Sequence, residues 1–141
     1  GAFRCRSGSL RGGWVPVDHV ATKTLRFSNG DVYTGTVEVF AGGQRQHGYG
    51  IYEYGKAHAT FRRYSGQWRE GCKHGHGVLL YRGGGVYVGQ WADNWRHGLG
   101  VQLDYGDIPD GAAQANQMPS YSYQGDWEDD KPHGLGVEET Q

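Results

Sequence analysis

The sequence predicts an all-β fold, an elongated single-sheet solenoid of stacked β-hairpins, and three observations carry that prediction. The first is compositional. Leu, Ile, Val and Phe together supply only 24 of 141 residues, yet the chain holds 19 aromatic residues and 26 glycines at a net charge of −1. Disordered chains are charged and poor in aromatics, so this chain folds, with a core of rings and backbone in place of aliphatic side chains. The second is repetition. The segments YSGQWREGCKHGHGV, YVGQWADNWRHGLGV and YQGDWEDDKPHGLGV begin at Tyr64, Tyr87 and Tyr123, and a period of roughly 20–50 residues marks a stacked array. The third is a period of two inside each copy. Tyr64, Gly66 and Trp68 alternate, as do Tyr87, Gly89, Trp91 and Tyr123, Gly125, Trp127, which puts Tyr, a gap and Trp on one face of a strand.

The elements follow in chain order. Residues 1–24 carry no repeat signature and read as a cap or partner-binding arm, with Arg4, Arg6, Arg11, Trp14 and Pro16. The array runs over 25–141. It opens with a half repeat at 25–32 (LRFSNGDV), followed by full copies starting at Tyr33, Tyr64, Tyr87 and Tyr123. In each copy the first strand ends at a turn rich in Gly, Asn and Asp: Glu70-Gly71, Asp93-Asn94, Asp129-Asp130. The His-Gly-x-Gly run then opens a second strand, such as Val78 to Tyr81 or Val101 to Tyr105, and Gly83-Gly84-Gly85 turns into the next copy. The first copy has Val37 in the Trp position, and its His47 comes four residues late, predicting a longer turn. Extra residues also fall near Lys56 to Arg63 and in a surface loop at 106–120. No helical period of apolar residues occurs, so almost no helix is expected.

Several function classes drop out. The only cysteines are Cys5 and Cys72, which make neither a disulfide framework nor a zinc site and point to a reducing, intracellular compartment. The histidines of successive copies would stand about 10 Å apart across two strand spacings, too far to share a metal ion. Gly83-Gly84-Gly85 lacks the Lys-Ser/Thr of a phosphate loop. No nucleophile elbow or carboxylate pair stands out, so no catalytic residue, metal or cofactor is expected, and a pI near 6.7 argues against a nucleic-acid partner. Charge is split instead. Residues 1–70 hold 10 Lys and Arg against 5 Asp and Glu, and residues 71–141 hold 4 against 10. An elongated stack with a basic and an acidic end suits end-specific docking.

The pattern of Tyr-x-Gly-x-Trp, a short turn and His-Gly-x-Gly over about 23 residues resembles the MORN repeat (membrane occupation and recognition nexus), which extends from about Leu25 to the C-terminus. Departures are Val37 for the ring, Asn94 and Asp130 for a turn glycine, Pro132 in the last turn, and a final copy that stops at Gln141 within its second strand. The resemblance implies a non-catalytic scaffold that binds other protein subunits, in a cytoskeletal, ciliary or membrane-associated assembly. Its alternatives are a peripheral module for anionic phospholipid and a regulatory fragment of a larger enzyme, and a homodimer stays open. Tyr64, Trp68, Tyr87, Trp91, Tyr123 and Trp127 are the expected exposed partner anchors. His47-Gly48, His74-Gly75, His97-Gly98 and His133-Gly134 are the expected structural turn residues, each histidine bracing its turn with a hydrogen bond.

Overall fold

The computed structural model describes residues 22–108 and 118–141. They form one antiparallel nine-stranded sheet whose spatial order equals the chain order. The strands are β1 (Thr22–Arg26), β2 (Val32–Phe40), β3 (Gly43–Glu53), β4 (Phe61–Arg69), β5 (Cys72–Tyr81), β6 (Gly83–Ala92), β7 (Trp95–Ile108), β8 (Tyr121–Glu128) and β9 (Lys131–Thr140). Nine strands at ~4.8 Å spacing make a sheet about 40 Å across. No helix occurs among the described residues. The expected cap at 1–24 and the loop at 106–120 lie largely outside them, and β1 with the turn after it occupies the place of the half repeat.

The turns explain where the hairpins fold. Glu70-Gly71, Asp93-Asn94 and Asp129-Asp130 all have positive φ, between 47° and 81°. Two successive left-handed residues are the type I′ turn, whose twist matches that of the strands. Asn and Asp tolerate this region, and here they also gain a bond. Asn94 Oδ1 accepts from Lys73 N at 2.8 Å, and Asp130 Oδ1 accepts from Arg96 N at 3.2 Å. The second turn residue in turn donates its amide to the same neighbour: Gly71 to Gln46 O, Asn94 to Lys73 O and Asp130 to Arg96 O. Each turn is thereby bonded to the preceding copy, which is why a stack of hairpins holds where one hairpin alone is marginal.

The structure revises several sequence expectations. The longer first turn is absent. Val37 pairs with Gln46 and Phe40 with Gly43, so the four extra residues lengthen both arms of the β2–β3 hairpin. Strand pairing satisfies backbone groups that a loop would leave to water. Gly83-Gly84-Gly85 does turn into the next copy: the β5–β6 ladder ends at the Leu80–Val86 pair, Gly83 and Gly84 have φ of 85° and 98°, and the run leads into β6, with Gly85 opposite Asp104. The His-Gly-x-Gly runs lie inside β5, β7 and β9, which start directly after their turns. A bulge takes up the irregularity: Gly66 faces Gly77 while Trp68 faces Lys73, so β5 fits extra residues against one stretch of β4. Cys72, 2% exposed, is disulfide-bonded and not a free thiol. Cys5, the other cysteine in the sequence, lies outside the described residues.

The core occupies one face of the sheet. Gly35, Gly50, Gly66, Gly77, Gly89, Gly100, Gly125 and Gly136 stand opposite one another in turn, forming an unbroken glycine row across β2 to β9. The motif tyrosines lie flat over this row. A Cβ at Gly100 would overlap the phenol oxygen of Tyr87 and stand 2.5 Å from its Cζ. Each phenol donates to a carbonyl three residues on: Tyr33 to Thr36, Tyr64 to Gln67, Tyr87 to Gln90 and Tyr123 to Asp126, at 2.6–2.8 Å. Each motif tryptophan donates its indole N–H to a glycine carbonyl of the preceding copy: Trp68 to Gly50, Trp91 to Gly77 and Trp127 to Gly100. The rings then meet edge to face in one zigzag, Tyr33–Trp68–Tyr64–Trp91–Tyr87–Trp127–Tyr123, with centroids 5.0–5.5 Å apart and planes at 81–89°. This is the preferred geometry for aromatic quadrupoles.

Candidate functional site

The six rings expected to be exposed anchors are core residues. Tyr64, Trp68, Tyr87, Trp91, Tyr123 and Trp127 are each at most 7% exposed. The glycine row leaves no side chains beneath them, so the rings collapse onto backbone and onto each other, and a single-layer sheet covers its own face. They hold the surface in place without forming it.

The surface that remains apolar and open is on the other face. Strand alternation sends the residue between the two motif glycines away from the rings. Tyr49, Leu99 and Leu135 occupy that position, at 66%, 62% and 85% exposure. The residue two further on adds Ile51 and Val137, and Val88 projects from β6 between them, all exposed. Near the C-terminal end, Leu99, Val101, Leu135 and Val137 line a shallow groove of about 710 Å³. The sequence signal for this face is the x of His-Gly-x-Gly.

Below that face the bulges are sealed by a position the repeat pattern hides. Gly48, Gly75, Gly98 and Gly134 have φ of 66–88°, the left-handed conformation the bulge needs. The side chain before each motif Trp plugs the gap. Gln67 Oε1 accepts from His76 N and Gln90 Oε1 from Leu99 N, both at 2.7 Å, and Asp126 Oδ2 accepts from Leu135 N at 3.2 Å. Thr36 Oγ1 does the same for Tyr49 N. The histidines do less than expected. His47 Nδ1 accepts from Glu70 N, in the next turn, and sits 3.3 Å from Glu38. His133 lies 3.0 Å from Glu128 across its own turn. The buried Nδ1 of His74 makes no hydrogen bond, and burial, reinforced by Arg69, lowers its pKa. His47 thus braces the turn of the next copy and not its own, while Gly71, Asn94 and Asp130 donate their amides to backbone of the preceding copy. Among the described residues no three His, Cys, Asp or Glu side chains gather as metal ligands.

A family model for the MORN repeat matches residues 45–56, 64–86, 87–104 and 123–140. The chain belongs to the MORN-repeat family. MORN repeats are in general modules that bind proteins or membranes, and in this MORN array two cations, Lys73 buried and Arg96 half-buried, lie against the rings. Lys73 and Arg96 occupy the same repeat position. Lys73 Nζ donates to Tyr54 Oη at 3.2 Å and lies 5.3–5.9 Å from the ring centres of Tyr54, Phe61, Tyr64 and Trp91. Arg96 stacks over Trp127 with its guanidinium carbon 4.5 Å from the ring centre, and donates to Asp130 and Gln102. Rings attract cations through their quadrupole, more strongly when water is excluded.

Lys73 gives the MORN array a pH signature. Burial lowers its pKa to about 8, opposed by the charge of Asp130. The folded lysine therefore binds fewer protons than the unfolded one between about pH 8 and 10.5, and stability rises with pH through that window. Above about pH 10 the tyrosines reverse the trend, because burial raises Tyr64 and Tyr87 while their unfolded counterparts ionise. Urea denaturation across this range should show a gain of about 1–2 kcal/mol from pH 8 to 10 and a fall beyond it. Lys73→Met should flatten the rise.

Proposed function

We infer that this MORN array is a non-catalytic structural subunit that binds another protein within a larger cytoskeletal, ciliary or membrane-associated assembly. The observation that carries this reading is the row Tyr49, Ile51, Val88, Leu99, Leu135 and Val137, exposed on the face opposite the rings. Scattered exposed apolar residues are ordinary, whereas a row aligned across strands is the kind of patch that marks an interface. The neighbours of the row choose between protein and lipid. At its C-terminal end Asp126, Glu128 and Glu139 share that face by strand alternation. Lys131 stands opposite Glu128 on the same rim, and the remaining excess of carboxylates disfavours anionic headgroups and suits a protein with an apolar centre and a basic margin.

The test is gel filtration of tagged chain in its native extract, followed by cross-linking through Lys23, Lys56 and Lys131. The chain should elute in a large particle with cross-links to defined neighbours. The double variant Leu99→Asp/Leu135→Asp should elute free while its circular dichroism spectrum is unchanged. Wild-type chain that elutes as a small free species, or binds anionic vesicles in preference, overturns the reading.

A further inference from the structure

The face opposite the rings is symmetric about its middle strand. Strand pairing sets its outward side chains in rows that cross the sheet from β3 to β9, with β6 at the centre. In one row Val88 of β6 is flanked by Val78 and Val101, these by Ser65 and Gln124, and these by Ile51 and Val137 at the two ends. The next row has Val86 at its centre, then Leu80 and Leu103, then Arg63 and Ser122, then Glu53 and Glu139. From either end the first row runs apolar, polar, apolar to its centre, and the second runs polar, polar, apolar. The apolar ends and centre of the first row, Ile51, Val137 and Val88, are all exposed.

Charge on this face is opposed where the apolar pattern is matched. Arg69 of β4 and Glu128 of β8 stand two strands to either side of β6, at the same repeat position, one residue after the motif Trp. Alternation turns both away from the rings, and their side chains are 45% and 52% exposed. Arg69 lies 3.5 Å from Asp93, and Glu128 lies 3.0 Å from His133 and opposite Lys131, so each is half covered by its own chain and keeps an outward surface. Their signs follow those of the two halves, 10 cations to 5 carboxylates over residues 1–70 and 4 to 10 over residues 71–141. The face is also large enough to hold a partner. Seven strands at ~4.8 Å and about seven residue positions at ~3.3 Å give nearly 800 Å², about what one side of a stable protein interface buries.

We propose that a second copy of this chain covers this face, packed sheet on sheet about a two-fold axis that runs along β6. Such an axis sets Val88 on Val88, β3 over β9 and β4 over β8. Ile51 of one copy then meets Val137 of the other, and Tyr49 meets Leu135 at the groove that Leu99, Val101 and Val137 also line. Arg69 meets Glu128 twice, once in each direction. A two-fold interface demands this reciprocity, since whatever residue i contacts must contact i in return, and a palindromic face satisfies it while a face that suits an unrelated protein has no need to. Aligned packing of two apolar sheet faces is the ordinary way to bury them. Glu53 and Glu139 also approach each other, and Arg63, bonded to Glu53 at 3.1 Å, stands beside them to offset the like charge.

This inference rests on the reading of the row as a protein-binding surface and names what occupies it. The purified full chain is weighed by light scattering after gel filtration and by sedimentation equilibrium, at about 1–100 µM. Twice 15.6 kDa is expected, with a Kd of about 10 µM or tighter. Val88→Asp, which sets two carboxylates on the axis, should leave a 15.6 kDa monomer with an unchanged circular dichroism spectrum. Arg69→Glu and Glu128→Arg should each weaken association by about 10-fold, and an equimolar mixture of the two variants should restore it, because each chain then finds the opposite charge in the other. Within one chain these residues stand four strands apart, about 19 Å, so restoration reports contact between copies. A wild-type monomer at about 100 µM overturns the proposal. So does an unchanged mass for folded Val88→Asp, or a mixture that associates no more tightly than its components. Should Val88→Asp fail to fold, the mixture decides. A purified monomer that still elutes in a large particle from its extract keeps the protein-binding reading and gives the row to a different protein; a dimer that elutes free of other proteins keeps this inference and removes the assembly.

Discussion

Trp91→Ala is expected to destabilise the protein by about 3–5 kcal/mol, the range for deleting a large buried aromatic. Trp91 is 4% exposed and sits at the middle of the zigzag, edge-on to Tyr64 at 5.4 Å and to Tyr87 at 5.0 Å. Its removal opens a cavity between two hairpins and orphans the Gly77 carbonyl to which it donates. In a stack where each hairpin contacts only its neighbours, the loss cannot be shared. Lys73 also loses one wall of its cage. Urea denaturation should show a lowered midpoint, and thermal melting a drop of roughly 10 °C or more. A loss below about 1 kcal/mol would mean that the ring zigzag is not what holds the sheet together.

Gly100→Ala is expected to cost about 3 kcal/mol or more, although it adds a single methyl group. That methyl would occupy the space of the Tyr87 phenol, so the ring must leave the sheet, breaking its bond to Gln90 O and its contacts with Trp91 and Trp127. Gly71→Asn separates this steric cause from glycine as such. Gly71 has φ +81° in the same turn position that Asn94 and Asp130 fill, and a Cβ there meets nothing closer than 3.8 Å. This substitution should change stability by no more than about 0.5–1 kcal/mol, because Asn tolerates the left-handed region. Equal costs for the two substitutions in denaturant titrations would refute the steric account.

The hairpins were legible because Tyr-x-Gly-x-Trp states its period in three letters, and the turn residues name the turn type. Which face of the sheet would be covered was not legible. Alternation tells which residues share a face but not whether a second layer is needed to bury it, and Trp68 and Trp91 bury themselves on glycine. Leu99 and Leu135 read as ordinary strand residues until that inversion is seen. Gln67 and Gln90 gave no signal either, since a glutamine sealing a bulge looks like one facing water.

The glycine row also governs how such a chain can change in length. Each tyrosine accepts only a residue without a side chain beneath it, so a strand that slipped by one position would drive a side chain into a ring. Insertions are therefore confined to places that leave the row in step: the tip of the β2–β3 hairpin, the connection from Tyr54 to Thr60, and the segment after β7. Whole hairpins can be added or lost, while single residues near the row cannot. The array is edited in words, and the glycines are the spaces that keep the words in frame.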